Sequence, residues 1–151
     1  MARYGVAHKA DTHQRILDAA GRLFRTEGFG ATGVAKVMAA VDLTVGGFYA
    51  HFAGKEALLA EVLTQSVAPT KSLLFAGLDE LEGEDFVREL MRRYLSRLHR
   101  DMPAEGCALP SLTVEVARQS DDTKQVFQDY LEALMKPVQD KLPKDRAIAL
   151  V

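Results

Sequence analysis

Apolar residues recur at three- and four-residue spacing along almost the whole chain, and strand-like alternation is scarce. The pattern predicts an all-α protein. A first helix starts near Asp11, where Asp11 and Gln14 have the form of a capping box. Ile16, Leu17, Ala20, Leu23 and Phe24 then share one face, and Gly28 supplies the stop. A short helix follows Thr32, whose hydroxyl can cap it, with Val34, Val37 and Met38 facing inward. Val41-Asp42-Leu43 reads as a turn, after which Thr44 can cap a third short helix through Phe48, Tyr49 and Ala50.

Another helix begins near Gly54 and runs towards Pro69, a residue that kinks or stops a helix. Longer helices are expected near 70–79, 84–101, 109–119 and 122–141, with Gly83, Pro103, Gly106 and Pro110 between them. Pro137 should bend or shorten the last of these. Pro143 can open one more helix, ending on the apolar Ala147-Ile148-Ala149-Leu150-Val151. Such an end needs a partner, or the chain is a fragment.

Two short helices joined by a tight turn and braced by a longer one are the ingredients of a helix-turn-helix. One short helix is narrow enough to enter the major groove of duplex DNA. Charge adds mild support. The net charge is -2, but residues 1–60 hold seven Lys or Arg against five acids, while the remainder holds 12 against 16.

The stretch from Thr12 to Leu59 carries this reading further. Ile16, Leu17, Ala20, Leu23, Phe24, Gly28, Phe29, Thr32, Thr44, Gly46, Tyr49, His51, Phe52, Lys55, Glu56 and Leu59 stand in a recognisable order, densest in Gly46-Gly47-Phe48-Tyr49-Ala50-His51-Phe52-Ala53-Gly54-Lys55-Glu56. It resembles the DNA-binding domain of the TetR family of transcriptional repressors, over about a third of the chain. Two residues depart from the family pattern. Asp42 stands where the turn usually has glycine, and aspartate enters the left-handed region more readily than most residues. Gly47 stands where a side chain is usual, and two adjacent glycines weaken a helix and remove groups that read bases.

The resemblance implies a three-helix domain over 1–54 and a helical ligand-binding and dimerisation domain over 55–151, apparently short at its C-terminus. Family dimers pair through their last two helices, so a homodimer is expected, though a weakened one if those helices are missing. The DNA-binding candidates are Thr32, Lys36, Thr44, Val45, Gly46, Gly47, Tyr49, His51 and Lys55. Tyr49 and Lys55 would anchor phosphates. Val45 can touch a thymine methyl, and His51 is either a phosphate contact or a packing residue. Arg3, Tyr4 and Lys9 form a tail that reaches a minor groove in some relatives. The partner is then double-stranded, palindromic operator DNA.

The resemblance also implies a small hydrophobic effector that releases the operator. Candidate pocket residues are Phe86, Tyr94, Leu98, His99, Phe127, Tyr130 and Leu134, all of which serve equally well as core. The segment Gly106-Cys107-Ala108-Leu109, followed by Glu115-Val116-Ala117-Arg118, resembles the ligand-binding domain of one TetR subgroup. Cys107, the only cysteine, follows a loop rich in Pro and Gly where a thiol can be accessible, so a redox or electrophile sensor is an alternative. A helical interaction module that keeps the helix-turn-helix only as packing is another.

Catalysis has no support. His8, His13, His51 and His99 share no zinc-site spacing with one another or with Cys107. No phosphate-binding glycine loop or nucleophile elbow occurs, so no catalytic residue, metal or cofactor is expected. No apolar run approaches the roughly 20 residues of a membrane span, and the start has no signal-peptide core. The expectation is a cytoplasmic protein without a membrane partner.

Overall fold

The apolar stripe of the first helix is the origin of the architecture. In a computed structural model, which describes residues 2–142 and only the backbone of residues 2–6 and Leu98, helix α1 spans Ala2–Glu27. It buries Ile16, Leu17, Ala20 and Phe24 on one side. The helix starts well before Asp11. No proline interrupts residues 2–10, so the helix propagates through them. Inside it, Gln14 cannot act in a cap, and its amide bonds Asp18 Oδ1 at 2.8 Å instead. Arg3 and Tyr4 therefore lie within a helix and not in a tail. The helix expected from Pro143 to Val151 lies outside the described residues.

α2 (Val34–Ala39) and α3 (Val45–Phe48) follow, and both are shorter than expected. α2 takes Gly33 as its N-cap. Thr32 does not cap it: the side chain is fully buried and its hydroxyl donates to the Gly28 carbonyl at 2.8 Å. Thr44 holds the N-cap position of α3 but makes no capping bond. In the turn between them Asp42 adopts φ 58°, the left-handed conformation the sequence demanded. Arg15 of α1 donates to the Val41 carbonyl at 2.9 Å and holds that turn to the bracing helix.

α4 (Lys55–Phe75) is the spine of the molecule. It packs on α1 and along α8 (Asp121–Lys141), with α5 (Gly83–Tyr94) against its far end. It runs straight through Pro69. Pro69 and Gln65 are both exposed, so water can take the bond that the proline cannot donate. α8 likewise continues through Pro137. It starts at a Ser120 cap, with Asp121 and Asp122 set favourably in the first turn. The single helix expected over 84–101 is broken into α5 and α6 (Arg97–Asp101), followed by a 3-10 turn at Pro103–Glu105 and α7 (Leu109–Val116).

The apolar core does not break where the two expected domains meet. One cluster runs from Ile16, Phe24, Met38 and Phe48 through Leu58, Leu59 and Leu63 to Cys107, Leu112, Val116, Tyr130 and Leu134. A second cluster joins Leu74, Leu78, Phe86, Leu90 and Val138 at the other end of α4. Polar ties reinforce the first cluster. The Glu115 carboxylate on α7 accepts from the amides of Phe29, in a very short bond, and Gly30, at 3.1 Å. Glu56 at the start of α4 accepts from Ser120 at 2.5 Å and Thr123 at 3.3 Å, and these bonds lower its pKa. Arg22 pairs with Glu105, and Arg25 donates to the Ala104 carbonyl.

Charge-assisted bonds of this type contribute roughly 1.5–3 kcal/mol each when partly buried. Glu115→Ala is expected to lower unfolding stability by about 2 kcal/mol, and Glu115→Gln by less, because it retains a neutral acceptor. Urea unfolding of the three proteins measures the order. The packing of His51 generates a second expectation. Its ring lies 5.7 Å from that of His13, which stacks on Phe52 at 4.4 Å and bonds Glu61 at 2.7 Å. Burial, then the nearby His13 and Lys9, hold the His51 imidazole below its ordinary value of 6.5. The unfolded chain therefore binds this proton more tightly, so the stabilisation is full above the ordinary value and is lost as pH falls through the folded one. The urea midpoint should fall below about pH 6.5, and His51→Phe should flatten that fall in the range above the carboxylates. A midpoint that rises on acidification there would contradict the assignment.

Candidate nucleic-acid interface

α3 turns one side into the core and one side out. Phe48 is fully buried against Phe52, with ring centroids 5.4 Å apart. On the other side Val45 is 44% exposed and Tyr49 67%. Tyr49 stands edge-on to the Phe48 ring at 5.3 Å, so a core residue sets its direction. Lys36 on α2 and Thr44, Gly46 and Gly47 share the exposed surface. Lys36 pairs with Glu27 in an exposed ion pair of the kind that exchanges readily.

The glycine pair is not forced by packing. A Cβ at Gly46 would meet nothing within 4 Å, and one at Gly47 would stand at ordinary contact, 3.8 Å from Met38. Side chains were therefore sterically allowed on this face, and their absence leaves backbone as the approaching surface.

Two of the nine candidates, Thr32 and Lys55, differ from expectation in what they do, and a third, His51, has two readings. Thr32 is buried and committed to Gly28, so it has no face for a phosphate. Lys55 turns its ammonium over the Phe29 ring, 4.2 Å from the centroid. It is half-buried, and desolvation lowers its pKa against the pull of Glu115. It is thereby part of the join between α1, α4 and α7. His51 is half-buried, and its Nδ1 is enclosed without a hydrogen-bond partner. Of its two readings, packing is the one the geometry supports.

Sequence reasoning missed Arg15, Glu56 and Glu115, which hold this surface in place. Their bonds to Val41, Ser120 and Phe29 link residues 26, 64 and 86 positions apart, and no local pattern encodes such pairs.

The effector candidates do not gather into one cavity. Phe86 belongs to the second core cluster, and Tyr130 and Leu134 to the first, with Phe127 packed against it. Leu98 has no described side chain. Tyr94 and His99 line an open cleft, of about 360 Å³, with Leu95, Pro103 and Pro110. Cys107 is buried, and it too borders this cleft. Its Sγ lies 3.3 Å from the Tyr130 hydroxyl, which also receives the Ala108 amide at 3.2 Å. A thiol sensor works through an exposed, reactive thiolate, and the burial of this one counts against the sensor alternative. No group of three or more His, Cys, Asp or Glu among the described residues is arranged to hold a metal ion. No described helix is long and apolar enough to cross a membrane.

Comparison with known proteins agrees with this geometry. Residues 16–62 match the family model of bacterial regulatory proteins, tetR family. The chain is 22% identical over 131 residues to the HTH-type transcriptional repressor DhaR of Mycobacterium sp. (strain GP1), covering 87% of this chain and 65% of that protein. It thus spans a little under two thirds of that relative's length. Among solved structures it is similar to a putative TetR/AcrR-family transcriptional regulator, with TM-score 0.67, 22% identity, and 87% and 69% of the two chains covered. It is also similar to reduced NemR of E. coli, with TM-score 0.65, 21% identity, and 83% and 66% covered. At these identities the structural likeness shows the fold. The matched family is one of regulatory proteins, in agreement with the sequence, which held no catalytic site. The N-terminal helix-turn-helix of this chain is thus similar to that of the tetR family of bacterial regulatory proteins.

Proposed function

We propose that the chain is a DNA-binding transcriptional regulator, acting as a repressor, whose α2–α3 face docks on a palindromic operator. The observation that carries this reading is the outward pair Val45 and Tyr49 on a helix anchored by fully buried Phe48. An exposed valine and tyrosine have no partner role in a monomer but suit a groove. Tyr49 and Thr44 offer hydroxyls to phosphates, and Lys36 exchanges Glu27 for the backbone. Val45 meets a thymine methyl, and the glycines let the α3 backbone approach.

The relative DhaR is named a repressor, and repression is carried to this chain as part of the proposal. Two copies would present two such faces to two half-sites. Release by a small hydrophobic ligand fits the cleft beside Tyr94 and His99. α7 and α8 border the DNA-binding helices through Glu115 and Ser120. A ligand that favoured a shifted α7 would move the reading head through those bonds.

Fluorescence anisotropy with duplex from upstream of its own gene tests the reading. Affinity should fall steeply with salt. Tyr49→Phe should weaken binding by about fivefold, equivalent to about 1 kcal/mol. Lys36→Ala should reduce the magnitude of the salt slope by about one. Salt-insensitive binding, or unchanged affinity in both variants, would remove the docking role. Gly46→Ala should stabilise the fold by about 0.5–1 kcal/mol, while changing sequence preference on the same DNA.

A further inference from the structure

We propose that the polar cleft between α1 and α4 is a binding site for a small amino-acid-type zwitterion, its carboxylate on Arg25 and its ammonium on Asp18. The cleft has a volume of about 350 Å³ and is lined by Asp18, Gly21, Arg25, Gln65, Ser66 and Glu105, among others. It lies apart from the α2–α3 face and adjoins the cleft at His99 only at Gly106.

The anion pole is a guanidinium without a carboxylate of its own. Arg25 is half-buried, and desolvation lowers its pKa with Glu105 opposing. Its Nε and Nη2 both donate to one neutral acceptor, the Ala104 carbonyl, at 2.8 and 2.5 Å. Its Nη1 has only a long contact, 3.5 Å, to Ser66 Oγ, whose own proton goes to Val62. Glu105 is taken by Arg22, and no ion pair joins Arg25 to an acid among the described residues. A half-buried guanidinium carries five donors, and this one leaves capacity facing the cleft.

Gly21 makes the room. A Cβ there would stand 3.4 Å from Nη1 and 3.6 Å from Nη2, so the guanidinium lies directly beside the glycine. Asp18, three residues before Gly21 on the same helix face, lines the cleft with Arg25, and its Oδ1 accepts from the Gln14 amide at 2.8 Å, which leaves its second oxygen for a cation. Asp18 and Glu105 at the margins disfavour a polyanion and favour a ligand with a cationic end. Gln14 and Gln65 bridge the two helices at 3.0 and 3.2 Å, and their amides close the polar rim.

The probe is 4-aminobutyrate, titrated into the full chain and followed by amide NMR, with acetate and methylammonium as single-charge arms. Amides of Gly21, Ser66 and Gly106 should shift saturably below about 10 mM, a reasonable affinity for a ligand of this size. Acetate and methylammonium should each bind about tenfold more weakly or worse, because each loses one charged pole. Asp18→Asn should weaken 4-aminobutyrate about fivefold or more. Gly21→Ala should abolish its binding by filling the floor, while helicity by circular dichroism holds or rises. Acetate binding as tightly as 4-aminobutyrate overturns the proposal. So does unaltered binding in both variants, or the absence of any shift at these amides.

Discussion

When α1 stops at Gly28, the chain leaves two amides, those of Phe29 and Gly30, on the boundary between the DNA-binding helices and the rest of the molecule. Phe29 is buried, and its amide without an acceptor would be costly, so the boundary needs a group from the other side. Glu115 supplies it, and its charge makes the two bonds stronger than neutral ones. The same carboxylate faces Lys55, which closes over Phe29. Gly28 is constrained twice here. It has φ 90°, and a Cβ on it would stand 2.7 Å from Glu115 Oε1. The helix stop, the aromatic ring, the first turn of α4 and the end of α7 thus form one unit.

That unit explains why the reading surface can be so slight. α3 has a single turn of helix and two glycines, and it would not hold its shape alone. Its geometry is imposed by Phe48 beneath it, by Arg15 on the preceding turn, and by α1 and α4, which are themselves fixed from α7 and α8. Rigidity comes from the support and not from helix propensity. The continuous cluster from Ile16 to Leu134 says the same in apolar terms: the boundary near residue 54 divides roles along the chain without dividing the core.

The helix-turn-helix was legible in the sequence because its determinants are local. Apolar spacing places Ile16, Phe24, Val37, Met38 and Phe48 inside, and Asp42 at a left-handed turn position is a property of neighbouring residues alone. What failed locally was capping. Thr32 and Thr44 have the right chemistry, but the carbonyl of Gly28, four residues earlier, claims the first and the second makes no capping bond. The prolines at 69 and 137 do not stop their helices, because exposure and packing decide whether a helix continues past one, and neither is written in the nearby sequence. The pocket list failed for a more general reason. Phe86, Tyr130 and Leu134 have the spacing of a buried face, and spacing cannot say whether a face meets a ligand or another helix.

The contact that sequence reasoning could least reach is therefore the one that, on the proposed function, would link a ligand to DNA binding. A TetR-like regulator must transmit a change in its larger domain to α3, and transmission requires a stiff path with few parts. Here the polar path is short. α7 touches the α1 stop through Glu115, and α8 touches the start of α4 through Ser120 and Thr123 on Glu56. These two sets of bonds meet α1 and α4 near the ends that carry the α2–α3 pair. A small rotation of α7 against α8 would pull on those ends unequally, and α3, with no stiffness of its own, would follow the helices that hold it. Weak intrinsic structure in the reading helix is then part of how the fold converts packing into DNA affinity.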